Sequence, residues 1–469
     1  METLTTDPVG AAAKPGESPS TAPKSEEAKP QKRSSVRHTR AIQRDRTQRP
    51  LGALPAEAVV ARLTEIVHPA TLAQVSYFHG LGLRARLLTL PVMVALVLSL
   101  LWRQIGSINE RVRVVRTEAV WWVRPLRDLT QQALAQRLRT LPAVLFGRVL
   151  TAILPVLQSR WQARQRPLPP AVAWAQVHFT AVLIADGSTL DVLLRKVGLL
   201  QDAVKAPLAG RMLAVLDLAS RLPRRVWYDA DPHGHDARFW DRLVATIPTG
   251  ALVVFDLGFT DFVRWATLTA RRVTWLTRAK QNLKYEVVQV LVQTSAVRDR
   301  IVWIGEGTAR QQVRLIEVQA HGTLYRYLTN ALDFARLPTV HAVALYRQRW
   351  RVEEAFAIVK RLLGLAYFYC GAENAVEMQV WATWLLYAVL IDLTDAVAEA
   401  LARPFAEVSV AMVYRSLYFV TNAVAQNPAT DPVRYLADRA RELGILKRPR
   451  KKTPRERPPT TSKPLQFTP

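Results

Sequence analysis

Two short apolar runs of one design constrain this chain most. Residues 179–185 (Phe-Thr-Ala-Val-Leu-Ile-Ala) and 251–255 (Ala-Leu-Val-Val-Phe) are β-branched and apolar. Both are too short for a buried helix, and turn-forming residues bound them, so they read as strands covered on both faces. Each is followed at once by a carboxylate and then a glycine, in Asp186-Gly187-Ser188 and Asp256-Leu257-Gly258-Phe259. An acid at a strand's end is presented at the rim of a sheet, where a ligand can reach it. Around these runs, residues 212–218 and 225–229 read as an antiparallel strand pair joined by a turn containing Pro223. Residues 237–247 and 262–271 read as helices, and 273–276 as a strand ending at Thr277-Arg278. Three strands, helix, strand, helix, strand is the order of an α/β domain.

A second stretch, residues 346–360, has neither Gly nor Pro and is dominated by helix formers. On a helical wheel at about 100° per residue, Tyr346, Arg349, Glu353 and Lys360 share one narrow stripe. Val352, Phe356, Val359 and Leu363 form an apolar flank beside it for burial. One acid held between cations and a phenol at a core edge suits a phosphate backbone meeting a metal ion: cations hold phosphate oxygens and the carboxylate holds the metal. A solvated helix face laced with salt bridges would show the same pattern.

The spacing Tyr346-x2-Arg349-x3-Glu353-x6-Lys360 resembles the Tyr-Arg-Glu-Lys signature of Asp-Asp-Glu transposases of the insertion-sequence-four family. The element order and the Asp-Gly-Ser and Asp-x-Gly-Phe segments are similar to that family's ribonuclease-H-like domain. What the resemblance implies is an α/β, ribonuclease-H-like catalytic domain whose metal-binding acids are Asp186, Asp256 and Glu353. They would hold two Mg²⁺ ions, with Mn²⁺ as a substitute. Glu354 points about 100° away on the wheel and is not the implied ligand. Tyr346, Arg349 and Lys360 are implied to bind DNA by gripping phosphates near the scissile bond. The implied partner is double-stranded DNA, both the element's terminal inverted repeats and the target, with a homodimer forming on it; the implied setting is a prokaryotic cytoplasm, at the nucleoid.

The charge agrees with a polyanionic partner, since 64 Lys and Arg against 38 Asp and Glu leave a net +26. Residues 1–50 lack hydrophobic periodicity and are expected to be a disordered tail, basic towards its end. No apolar stretch follows Met1, so no secretory leader is expected there. Residues 51–170 read as a helical DNA-binding domain. Within it residues 129–141 resemble the second half of a helix-turn-helix, with Ala133, Leu134 and Leu138 at helical spacing and Gln132, Gln136, Arg137 and Arg139 facing outward. Residues 87–102 are apolar but short for a bilayer and contain Pro91, which favours a buried helix and no membrane partner.

The catalytic domain is expected in two parts, 171–280 and 336–402, split by a β-strand insertion at 281–335. Trp303 in that insertion either packs in the core or stacks on an extruded base. Residues 375–401 read as one long helix closing the sheet, interrupted for membrane use by Asp392 and Asp395. Residues 403–446 are expected to be helical, and 447–469 a second disordered basic tail. The loop with Asp229, Asp231, His233, His235 and Asp236 reads as a turn ahead of a helix more than as a zinc site. The single cysteine, Cys370, excludes an intramolecular disulfide framework. Two readings remain beside the transposase: a structure-specific nuclease of the same fold, and a non-catalytic DNA-binding protein from a decayed element.

Overall fold

The computed structural model describes residues 57–84, 86–103, 105, 108–190, 210–231, 236–320, 322–365 and 372–447. The two tails up to residue 56 and from 448, together with His233, His235 and Cys370, lie outside the described residues.

Helices come first, as the pattern predicts. They are α1 (Glu57–Leu72), α2 (Val75–Gly80), α3 (Leu90–Arg103), α4 (Ile108–Thr117), α5 (Gln131–Thr140), α6 (Val144–Ala163) and α7 (Pro170–His178). Pro91 sits in the first turn of α3, where a proline costs no intrahelical bond, and Met93 to Leu101 are buried. In α5, Leu134 and Leu138 are buried while Ala133, Gln132, Gln136 and Arg139 are exposed. Arg137 departs from the outward-facing expectation: its guanidinium donates to the carbonyls of Leu88 and Arg84 and lies over the Phe78 ring. That side chain ties α5 to the segment before α3. The 13 residues between Thr117 and Gln131 are also long for the tight turn of a helix-turn-helix.

Nine strands form one sheet, ordered β3-β2-β1-β4-β5-β9-β8-β7-β6. They are β1 (Val182–Thr189), β2 (Arg211–Asp217), β3 (Pro223–Asp229), β4 (Leu252–Phe255), β5 (Thr274–Arg278), β6 (Glu286–Gln293), β7 (Val297–Ile304), β8 (Gln311–Ala320) and β9 (Thr323–Thr329). β1, β4 and β5 are parallel, with α8 (Trp240–Thr246) and α9 (Phe262–Ala270) in the connections. β2 and β3 pair antiparallel beyond β1, as predicted.

Alternation along these strands divides two cores. Leu183, Ala185, Val253, Phe255 and Trp275 face α8 and α9, where Trp240, Phe259 and Trp265 meet them. Trp265 and Trp275 stack at 4.6 Å, a contact worth about 0.5–1.5 kcal/mol beyond its burial. Val182, Ile184, Leu252, Val254 and Leu276 face the opposite side. That side is covered by α10 (Thr339–Arg347), α11 (Trp350–Ala357) and α12 (Glu373–Ala400), with α13 (Val410–Gln426) and α14 (Pro432–Asp438) beyond. α12 is long and apolar enough to cross a membrane, but 94% of its apolar window is buried inside the protein. Its Asp392 and Asp395 pair with Arg62 of α1, Arg160 of α6, and Arg164 and Arg166 just after it. These ion pairs fasten the N-terminal helices to the helix that backs the sheet.

The strands of 281–335 are β6 to β9, and β9 pairs antiparallel with β5 through Leu276–Thr329, so this meander continues the sheet of β1 to β5. Two expectations need correction. β1 does not stop at Asp186 but continues to Thr189, because β2 supplies hydrogen-bonding partners as far as the Thr189–Arg211 pair. And residues 346–360 are not one regular helix. The chain turns at Gln348 and Arg349 between α10 and α11, and a π-helical turn, Ile358–Leu362, follows α11. At the turn Arg349 N bonds Tyr346 O, and Val352 N bonds Arg349 O, so the helix tightens to three-residue spacing.

Candidate active site at the ends of the parallel strands

The position of Asp186 follows from register. β4 pairs with β1 up to Phe255–Ala185, so Asp186 and Asp256 are the next residues on adjacent parallel strands. Side chains alternate along a strand, so both acids fall on the face of Ile184 and Val254, the one covered by α10 and α11. Beyond Phe255 the sheet loses its parallel neighbour, and the burial of β1 falls from complete over Val182–Ala185 to partial from Asp186 onward. Asp256 is anchored by Phe255 and Phe259, both 0% exposed. It opens a short 3-10 turn without capping it, which leaves its carboxylate free to turn to the site.

Arg349 is the hub. Its guanidinium donates to Asp186 Oδ2 at 3.0 Å and to Glu353 Oε1 at 2.9 Å, and its Nε lies 3.7 Å from Asp256 Oδ1. Three acids separated widely in sequence therefore meet on one cation. The Arg349 side chain is 8% exposed, whereas Asp256 and Glu353 keep 40%, so the acids form an open rim over a covered guanidinium. Burial alone would lower the arginine's pKa, but Asp256 and Asp186 outweigh it and hold the group firmly charged. Tyr346 donates its hydroxyl to Asp256 Oδ1 at 3.3 Å. Burial first and the Asp256 charge second push its phenol well above the usual range, so it stays protonated as a donor. Lys360 donates to the carbonyl of Thr189 at the end of β1. The side chains expected to grip phosphates are thus each given a protein partner.

Two features escaped sequence reasoning. Arg278 ends β5, and since Leu276 pairs with Val254 it stands beside Asp256 on the same sheet edge. A polar residue at the equivalent point of the third parallel run was the signal. Arg221, at positive φ before β3, meets Glu354 at 3.3 Å, and Arg351 meets Glu354 at 2.7 Å. Burial and the neighbouring Arg351 lower the Arg221 pKa to about 10. Glu354 thus faces a different set of partners from Glu353, as their spacing predicts.

The donor set near Arg349 is three carboxylates, the hard oxygen ligands that suit Mg²⁺ or Mn²⁺. A site that already collects a cation on those three groups fits a metal in chemistry. In geometry the guanidinium stands at their meeting point, and among the described residues no group of three or more acids, histidines or cysteines is arranged to hold a metal ion. In the loop set aside above, Asp231 pairs with Arg238 at 2.6 Å. Next to the site, a cleft of about 870 Å³ is lined by Arg278, Lys280, Lys284, Tyr285, Trp303 and Arg310, among others. Trp303 is only partly buried there, with the Arg310 guanidinium 4.8 Å from its ring centre.

Residues 180–389 match the family described as "Transposase DDE domain". "Putative transposase y4zB" of Sinorhizobium fredii is 30% identical over 191 residues, which cover 38% of this chain and 52% of that protein. "Putative transposase for insertion sequence element IS4SA" of Synechocystis is 22% identical over 163 residues, 34% of this chain and 45% of that protein. The chain spans about half the length of the curated relatives it matches. A solved structure, the piggyBac transposase synaptic complex with hairpin DNA, aligns over 84% of this chain and 86% of that one at 11% identity and a TM-score of 0.38, too low to equate the folds.

Proposed function

We propose, from the match of residues 180–389 to the family described as "Transposase DDE domain", that the chain is a cut-and-paste DNA transposase of the insertion-sequence-four type, built on a ribonuclease-H-like arrangement of β1 to β5. Asp186, Asp256 and Glu353 are its catalytic acids and would hold the metal. The observation that carries this reading is their convergence on Arg349 from two adjacent strands and a covering helix. Two Mg²⁺ ions, when bound, supply activation of water or of a 3′-hydroxyl and stabilisation of the leaving oxygen. The chain's own residues do the rest. The three acids concentrate negative charge at an open rim, Tyr346 stays a proton donor beside Asp256, and Arg278 and Lys360 flank the rim with positive charge for the phosphates on either side. The cleft with Tyr285, Trp303 and four cations suits single-stranded nucleotides next to the cut, with rings for bases and cations for phosphates. Cutting two ends in concert calls for a homodimer on DNA.

The test is strand joining. A duplex with the element's terminal repeat and a free 3′-hydroxyl, incubated with supercoiled plasmid and Mg²⁺, should give covalently joined product. Nicking without joining would mark a structure-specific nuclease, and binding without either would mark a decayed, non-catalytic protein.

The tails give an independent expectation. Residues 32–49 carry seven Lys or Arg against one acid, and such arms release phosphate counterions on binding. Removing residues 1–50 and 447–469 should weaken duplex binding without regard to sequence and flatten its salt dependence. Fluorescence anisotropy at several salt concentrations measures that slope, and an unchanged slope would show that neither tail touches DNA.

A further inference from the structure

We propose that Arg349 is a resident counter-ion that keeps the three acids closed to metal until duplex DNA draws it away, so that metal and DNA load together. This rests on the reading of Asp186, Asp256 and Glu353 as metal ligands, and it concerns when they become available.

Four observations carry it. The guanidinium contacts one oxygen of each acid, at 3.0, 3.7 and 2.9 Å, so it stands where a shared cation would be. Among the described residues no trio of acids is arranged for a metal. The fit is incomplete: Arg349 Nε is buried and makes no hydrogen bond, so one donor of the fork is unsatisfied among the carboxylates. Last, Arg349 lies at the tightened turn between α10 and α11 and not inside a regular helix, and although it is itself buried its neighbours Trp350 and Glu353 are 61% and 40% exposed.

A guanidinium fork binds phosphate two-pronged as well as it binds carboxylate. A DNA phosphate arriving at the rim, where Asp256 and Glu353 are 40% exposed, therefore offers Arg349 a full set of acceptors and releases the acids. Positive charge leaves the ligand set as the metal enters. Without DNA, the resident charge repels divalent cations from the three acids. Linkage requires reciprocity: if DNA tightens metal binding, metal tightens DNA binding by the same factor.

Mn²⁺ binding to the full chain, followed by electron paramagnetic resonance, reads this without turnover. The duplex used is a pre-cleaved element end with a 3′-dideoxy terminus, which cannot be transferred. Saturating duplex should tighten Mn²⁺ binding to the wild type on the order of tenfold, within the usual range of coupling between sites. Arg349→Gln, without DNA, should bind Mn²⁺ tighter than wild type by a similar factor and lose most of the response to duplex. Arg349→Lys, which keeps the charge and loses the fork, should fall between them. A merely structural arginine would move stability but would not tighten metal binding when removed. Equal or weaker Mn²⁺ binding by Arg349→Gln overturns the proposal, because the guanidinium then organises the site and does not compete for it. If Arg349→Gln fails to fold, a wild type whose Mn²⁺ affinity ignores the duplex overturns it equally. Asp256→Asn separates the two ideas: it should abolish most Mn²⁺ binding, and if it does not, the metal reading falls and this proposal with it.

Discussion

The Glu353→Gln protein should bind an end-containing duplex almost as well as the wild type and cleave it roughly 10³-fold more slowly, equivalent to about 4 kcal/mol of lost transition-state stabilisation. Glutamine keeps the size of the side chain and an oxygen that can accept the Arg349 bond now made at 2.9 Å. What it removes is the negative charge at the rim. Glu354→Gln is the control, one residue away and on the same turn. That carboxylate is 44% exposed and pairs with Arg351 and Arg221, whose side chains are 20% and 12% exposed, and with none of the three acids or Arg349. Its replacement should leave cleavage within a few-fold of wild type. Single-turnover cleavage by the two variants, matched for stability by urea titration, decides the matter. Activity lost with Glu354 and kept with Glu353 would move the catalytic helix by one register position.

The parallel strands and their acids were legible because burial on both faces leaves a strong local trace: Leu252 to Phe255 are all buried, and a continuous apolar run is the only pattern that permits it. Burial of Val352, Phe356, Val359 and Leu363 was legible for the same reason. What escaped the sequence was set by partners distant in the chain. Asp186-Gly187-Ser188 resembles a turn, and only the pairing with β2 draws it into a strand. The joining of the meander to β5 depends on the Leu276–Thr329 register, which no local pattern carries. The turn at Gln348 and Arg349 has neither Gly nor Pro to announce it. A helical wheel put Arg349 on the right stripe but could not tell whether its charge would face solvent or three acids, since that choice is made where β1, β4 and α11 meet.

Asp299→Ala should destabilise the protein by about 3–5 kcal/mol. Asp299 and Arg314 form a two-pronged pair at 2.6 Å and 2.6 Å, and both side chains are 0% exposed. Removing the acid leaves a guanidinium uncompensated in the core, which costs far more than the pair itself contributes. The same arginine donates to the carbonyl of Leu337 at 2.7 Å and to Thr339 Oγ1 at 3.0 Å, and Thr339 donates in turn to Asp299. Strands β7 and β8 are thereby fastened to the start of α10, the helix that carries Tyr346 and leads to Arg349. An apolar double replacement, Asp299→Leu with Arg314→Met, should recover most of the stability, because neither charge is then left buried. It does not restore the hold on Leu337 and Thr339. Urea unfolding of the three proteins measures the first effect, and DNA cleavage by the double variant measures the second. Full stability with cleavage reduced several-fold would identify the pair as the device that positions α10 over the acids; cleavage restored along with stability would limit its role to the fold.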